Sequence, residues 1–455
     1  MMRYHARWIC PVSSSPVRDA TLVEEGGRIT YVGPRDAAPT GGDDVELGNA
    51  IVVPGLVNTH CHLELTAMRG FLDGLAFREW ILRLTFARRD VLTPAMLLDA
   101  ARLGVMEGLR HGITTFADTG DTGAGFDAML EAGVRGICYR EVFGPDPRQC
   151  DEAMAGLVAR VTDMRARATA LVRVGVSPHA PYTVSDALFR SASAYARAES
   201  LPLAVHIAES AIESRLIVDA AGPFADGLRA RGIAVERRGE SPVALLERLE
   251  VMNARTLLIH CVRVDDHDVA TISRHNCAVA HCPASNARLG HGVAPVNALL
   301  HAGVRVGLGT DSVASNDRQD ILDEARLASL FACSATRRQD ALSATRALEL
   351  ATIGGASALG IDADVGTLES GKSADFAAFP LLDHRAPVHD PVVALIHSHA
   401  GVAANFVAVR GRPLVRASQL VAHDPALAGR VQHTADRLQA WLAERAATSV
   451  TASSR

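Results

Sequence analysis

Lysine is almost missing from this 455-residue chain: of its 46 basic residues only Lys372 is a lysine. Chemistry that needs a lysine amine therefore has a single candidate. Paired cysteines are missing too. Cys10, Cys61, Cys138, Cys150, Cys261, Cys277, Cys282 and Cys333 are dispersed with no CxxC spacing, which reads as reduced, mostly buried thiols in a cytoplasmic protein. No run approaches the roughly 18 uninterrupted apolar residues of a membrane span. Met1 to Arg18 lacks a long apolar core and a small-residue cleavage site, so no signal peptide is expected. An excess of positive charge is also lacking. A net charge of -5 and a pI near 6.4 give no reason to expect nucleic acid or an anionic membrane as a partner. Repeats and low-complexity tracts are absent, apart from final Ser/Thr-rich residues expected to fray.

What is present indicates a well-buried globular protein, 48% hydrophobic with positive mean hydropathy. Its length exceeds one core, so a large α/β unit with a smaller satellite is expected. Short β-branched runs alternate with helical patterns at Ile51–His60, Gly112–Ala117, Gly133–Val142, Leu171–Ser177, Leu203–His206, Thr256–His260, Ala278–His281 and Val304–Gly309. Thr93–His111 and Ser185–Glu199 are apolar at helix spacing, and each opens on a capping Thr or Ser. The strand–helix alternation predicts an α/β fold, a (β/α)8 TIM barrel over residues 51–361. Ser210–Leu249 reads as an insertion with its own helices. Residues 1–50 and 362–420 are strand-like and turn-rich, including Ile29–Gly33, Gly366–Phe376 and Phe406–Arg412. They predict one small β-sandwich built from both ends. Residues 421–455 would supply a closing helix and tail.

The dipeptide-spaced pair His60-Cys61-His62 ends the first strand. Residues i and i+2 of a strand share a face, so both imidazoles would project into one pocket. In a barrel, functional groups gather at the C-terminal strand ends. His179, His206, His260, His281 and Asp311 stand at five more such ends, with Glu209 three residues after His206. Neutral imidazoles with one carboxylate suit a single divalent cation, zinc above all, with iron as an alternative. The expected ligands are His60, His62, His206 and Asp311. Such a cation makes water nucleophilic near neutral pH. Glu209 would move the proton between water and the leaving side of the substrate, His260 would orient or help deprotonate the nucleophile, and Asp311 would combine ligation with proton transfer. His281 joins the candidate substrate contacts.

At these residues the chain resembles the amidohydrolase superfamily. The likeness is carried by Pro54-Gly55-Leu56-Val57-Asn58-Thr59-His60-Cys61-His62, Val205-His206-Ile207-Ala208-Glu209, His260, His281-Cys282-Pro283-Ala284-Ser285-Asn286 and Gly309-Thr310-Asp311-Ser312. The match is to the mononuclear aminohydrolase branch, which implies hydrolytic loss of ammonia from an amino-substituted ring. Binuclear relatives need a carboxylated lysine, and no lysine lies near the fourth strand. Cys61 departs from the Thr or Ala usual in this branch; alternation turns its thiol to the opposite face, where it packs.

The substrate stays open between several amines. If strand geometry persists, Glu64 shares a face with the ligands. The resemblance implies that Glu79, in Phe77-Arg78-Glu79-Trp80, holds ribose hydroxyls and that His179 contacts a purine. Arg140 on the third strand could pair with a substrate carboxylate. His62-Leu63-Glu64-Leu65, Glu141-Val142-Phe143-Gly144 and Gly309-Thr310-Asp311-Ser312-Val313-Ala314-Ser315-Asn316 look like aminodeoxyfutalosine deaminases of menaquinone biosynthesis, making 6-aminodeoxyfutalosine the preferred substrate. The alternatives are S-adenosylhomocysteine or 5′-methylthioadenosine deamination, another heterocycle aminohydrolase or chlorohydrolase, and a non-catalytic barrel scaffold. A homo-oligomer is compatible with all of these.

Overall fold

Eight short strands with Val, Ile and Leu on both faces must be covered on both sides, the condition for a parallel sheet wrapped in helices. The computed structural model describes residues 1–422 and 424–453, with the side chains of 447–453 excepted. It places eight parallel strands side by side in chain order: β1 (Leu56–Cys61), β2 (Ile113–Gly120), β3 (Arg135–Val142), β4 (Val172–Pro178), β5 (Leu203–Ile207), β6 (Thr256–His260), β7 (Ala278–His281) and β8 (Arg305–Leu308). The ring is closed where the Asp311 amide donates to the His60 carbonyl at 2.9 Å. The expected TIM barrel is therefore the fold.

The predicted first strand proves to be two. Ile51–Pro54 ends a long strand, Asp43–Pro54, of a second sheet, and the barrel strand begins only at Leu56. Pro54 has no N–H to continue a ladder. Gly55 turns the chain, its amide bonding to Asp375 O while the next amide bonds to Gly112 O. A Cβ at Gly55 would lie 2.1 Å from Thr114 Oγ1, so the turn requires glycine.

The second sheet is mixed and drawn from both ends of the chain. Asp43–Pro54 lies between Met2–Ile9 and Phe376–Pro380, with Phe406–Val409 next. Three strand spacings of about 4.8 Å would hold Tyr4 and Phe406 about 14 Å apart on a flat sheet. Their ring centroids are 5.3 Å apart, so the sheet curls and its halves face each other over Tyr4, Phe376 and Phe406. Of the expected Gly366–Phe376 stretch, only Phe376 enters a strand.

Helices flank the barrel where their caps predict. Thr93 accepts from Met96 N before Pro94–Arg110, and Ser185 accepts from Leu188 N before Asp186–Ala198. The insertion forms the helices Ala211–Asp219, Pro223–Ala230 and Pro242–Arg248. The closing helix runs Leu427–Ser453; the final Ser454 and Arg455, part of the stretch expected to fray, lie outside the described residues. Among the described residues no helix is long and apolar enough to cross a membrane.

Candidate metal and catalytic site

The C-terminal ends of β1, β5, β6 and β8 bring four imidazoles and two carboxylates into one buried pocket. Nε2 of His60 and of His62 lie 3.2 and 3.5 Å from Asp311 Oδ1, and His206 Nε2 lies 3.3 Å from His62 Nε2. The ligand atoms of His60, His62 and His206 all fall within 4.8 Å of one another, as do those of His60, His260 and Asp311. Close approach of β1 and β8 requires Gly309: a Cβ there would sit 2.9 Å from the Cβ of His60.

The surroundings fix which atoms are free. His206 Nδ1 lies 3.2 Å from the His179 carbonyl. A carbonyl only accepts, so the proton is on Nδ1 and Nε2 keeps its lone pair. Asp311 Oδ2 accepts from Ser285 Oγ at 2.5 Å and Ser315 Oγ at 3.1 Å, leaving Oδ1 to the imidazoles. Burial holds His60 low, His206 well below its usual range and His62 at about 3, so these rings are neutral at pH 7. Burial opposes the charge of Asp311, but His60, His260 and His62 outweigh it and keep its carboxyl well below the ordinary value. Imidazole nitrogens around one carboxylate oxygen are a donor set that suits a divalent cation. His60, His62, His206 and Asp311 fit such a cation.

Glu209 stands beside these donors. One of its oxygens is 3.6 Å from His260 Nε2 and 3.4 Å from His291 Nε2. Burial pushes its pKa up, but the two imidazoles prevail and the net shift is downward. Glu213, one turn on, accepts the amides of Ala208 and Glu209 at 2.9 and 2.8 Å, and burial raises its own pKa to about 8. His260 Nδ1 donates to Asn286 Oδ1 at 2.9 Å, which turns Nε2 toward Glu209. Ala208, His260 and Asp311 have φ of 52°, 76° and 57°. Non-glycine residues rarely adopt this left-handed backbone, and here it recurs at three strand ends around one pocket.

Above these groups opens a cavity of about 700 Å³. Phe77, Trp80, Ile81 and Leu84 of the helix Phe77–Val91 form one wall, and Phe143, His179 and Tyr182 another. The insertion closes the rim: Phe224 stacks on Tyr182 at 4.3 Å. His179, neutral because burial lowers it to about 4, lies 4.7 Å from His206 by ring centroid.

The structure thus gathers His60, His62, His179, His206, Glu209, His260 and Asp311. Glu64 also lines the cavity, though not by strand alternation: the strand ends at Cys61, and Leu63–Met68 is a 3-10 helix. There Glu64 pairs with Arg88 at 2.7 Å. Cys61 packs as expected, its Sγ 3.6 Å from Ala117 O. Three expected contacts fall elsewhere. Glu79 is exposed on the outer side of its helix, outside the cavity lining. His281 is buried outside the cavity lining, with both ring nitrogens unpartnered. Arg140 lines an adjoining hollow of about 400 Å³ that shares Asp121, Glu141 and Phe143 with the main cavity. Sequence reasoning missed His291, Glu213, Arg88 and Glu141. Glu213 follows Glu209 at helix spacing and Glu141 adjoins Arg140, but His291 stands in a loop and carries no periodic signal.

A barrel whose strand ends converge imidazoles and a carboxylate able to hold a divalent cation, beside a carboxylate-lined cavity, has the architecture of a hydrolase. The chain belongs to the amidohydrolase family, whose model matches residues 51–411, and is a hydrolase of carbon–nitrogen bonds. It is 31% identical over 414 residues to a 5-methylthioadenosine/S-adenosylhomocysteine deaminase of Moorella thermoacetica, covering 90% of this chain and 92% of that one. Among solved structures it resembles a zinc-bound adenosine deaminase of Xanthomonas campestris, with TM-score 0.86, 27% identity and coverage of 96% and 98%. An atrazine chlorohydrolase of Arthrobacter aurescens TC1 complexed with zinc gives TM-score 0.83 and 26% identity, with coverage of 96% and 100%. An aminofutalosine deaminase of Helicobacter pylori, at TM-score 0.78 and 18% identity over 91% and 100%, shares the fold.

Proposed function

We propose that this protein is a zinc-dependent hydrolytic deaminase of adenine nucleosides, with 5′-methylthioadenosine or S-adenosylhomocysteine preferred over 6-aminodeoxyfutalosine. The observation that carries the reading is Glu209: an ionised carboxylate on the cavity floor, beside the metal donors but not among them. His60, His62, His206 and Asp311 would hold the zinc, which when bound supplies the Lewis acidity that activates water. Glu209 accepts a proton from the attacking water and returns it to the ring nitrogen; the second proton, from the hydroxyl added to the ring carbon, passes through Glu209 to the departing amine as the carbonyl forms. Oxygen adds to the ring carbon bearing the amine, the carbon–nitrogen bond breaks, and ammonia leaves with a carbonyl left on the ring. His260 holds Glu209 at its reacting oxygen. The apolar walls exclude bulk water and His179 faces the ring. The adenosine-type relatives support the nucleoside, and the 31% identity to the methylthioadenosine/adenosylhomocysteine enzyme supports that order of preference. Arg140, which lines the adjoining hollow, would pair with a carboxylate only at the far end of a longer substrate.

Ammonia release should be compared over 5′-methylthioadenosine, S-adenosylhomocysteine, adenosine, 6-aminodeoxyfutalosine and melamine, alongside zinc per chain. The expected result is about one zinc per chain and the highest kcat/KM on one of the first two. Turnover of melamine alone would refute the nucleoside reading, and two metals per chain would refute the single-cation site.

A further inference from the structure

β3 runs out in Arg140-Glu141-Val142-Phe143, and the fold supplies no partner for the carboxyl of Glu141. The residue is 8% exposed, and its Oε1 is fully buried without a hydrogen bond. Arg88, the nearby cation, goes instead to Glu64 and Asp121. A carboxylate oxygen of Glu141 lies within 4.8 Å of ring nitrogens of both His179 and His206, on the cavity wall. Next to it Phe143, 40% exposed, lies against His179 at 4.9 Å between centroids and leaves an apolar ring face at the mouth.

A second metal does not account for the group. His206 has Nδ1 on the His179 carbonyl and Nε2 toward His62. His179 Nδ1 donates at 2.7 Å to Thr183 Oγ1, whose own proton goes to Ala180 O. That leaves Glu141 and one nitrogen of His179, too few donors for a cation. Buried polar groups without a partner cost stability and are rare. One that faces a cavity is completed by what enters the cavity.

We propose that Glu141 is a specificity residue that hydrogen-bonds the polar edge of the substrate's aromatic nitrogen heterocycle, whose face rests on Phe143. The proposal builds on the nucleoside reading but deepens it toward the ring. A carboxyl group accepts from an N–H and, when protonated, donates an O–H beside that acceptor, the complement of a ring nitrogen adjoining an N–H.

The test compares Glu141→Leu and Glu141→Gln with the wild type for zinc per chain, Tm and kcat/KM. It adds the Tm shift given by purine riboside, a nucleoside that keeps the ring nitrogens but has no amine to release, so that its shift reads the bond to the ring nitrogen alone. The Leu variant should keep its zinc and melt at or above wild type, because it removes an unpaired buried group. It should lose about tenfold or more in kcat/KM, mainly through KM, together with the purine riboside shift. The Gln variant, with a donor and an acceptor, should recover most of that loss. A Leu variant with wild-type kcat/KM and shift overturns the proposal. So does a parallel fall of Tm and activity, a loss of zinc, or a wild type that purine riboside does not shift. A wild type that deaminates none of the panel overturns the deaminase reading instead, and the riboside shifts still decide on Glu141.

Discussion

Glu209 is the residue on which the chemistry turns, and its setting gives its replacement a definite signature. It carries charge in a buried pocket only because His260 and His291 face one of its oxygens. Glu209→Gln keeps the shape and removes the proton acceptor. kcat should fall by about 10²–10⁴-fold, the usual worth of a positioned acid–base group, with zinc content unchanged. A variant that turns over normally would sink the proton-transfer role. His281 tests the opposite case, a buried imidazole with no partner. Burial lowers it from 6.5 to about 4. Between those values the unfolded chain binds a proton that the fold refuses, so stability falls as pH drops through that window. His281→Leu removes both the unpaired nitrogens and this acid sensitivity. We expect a gain of about 1–3 kcal/mol at pH 7 and a larger one at pH 5, read from thermal melts across pH. A variant that melts lower than wild type at pH 5 would show that His281 has a partner in the working enzyme.

At the scale of elements, the cavity wall depends on a helix from the far end of the sequence. Phe77–Val91 lines the cavity on one face. On the other it packs through Ala87 and Val91 in a cluster with Leu438 and Trp441 of the closing helix. Trp441 Nε1 also donates to Asp90 at 3.2 Å. Leu438 is fully buried there. Leu438→Ala should cost about 2–5 kcal/mol by urea melts and, by loosening the wall rather than the floor, raise KM more than it lowers kcat. Unchanged KM in a destabilised variant would separate the closing helix from the cavity.

Across the whole molecule, barrel and curled sheet are joined at a buried ion pair. Arg135 of β3 meets Asp375 at 2.9 Å, and Asp375 also accepts from Ser373 Oγ and the Arg410 amide. Removing one partner leaves the other charge buried and alone, so Asp375→Ala should destabilise the protein by about 3–5 kcal/mol. Because the pair spans both units, calorimetry should still show one transition, lowered as a whole. A barrel transition unaffected by the substitution would mean that the two units melt independently.

Much of this architecture was legible in the sequence because it is local. Strand ends, helix caps and the spacing of His60 with His62 each depend on a few neighbouring residues, so the barrel order and the candidate metal donors could be placed by pattern. The break at Pro54-Gly55 was hidden, since Ile51–Val57 is equally apolar on both sides of the turn. The path of the chain beyond Cys61 was hidden as well, and with it the reason Glu64 reaches the cavity. Tertiary packing alone decided that Glu79 faces outward, that His281 is buried outside the cavity lining, and that His291 and Glu141 meet the site. Such placements depend on which surfaces are pressed together across hundreds of residues, and no period in the chain records them.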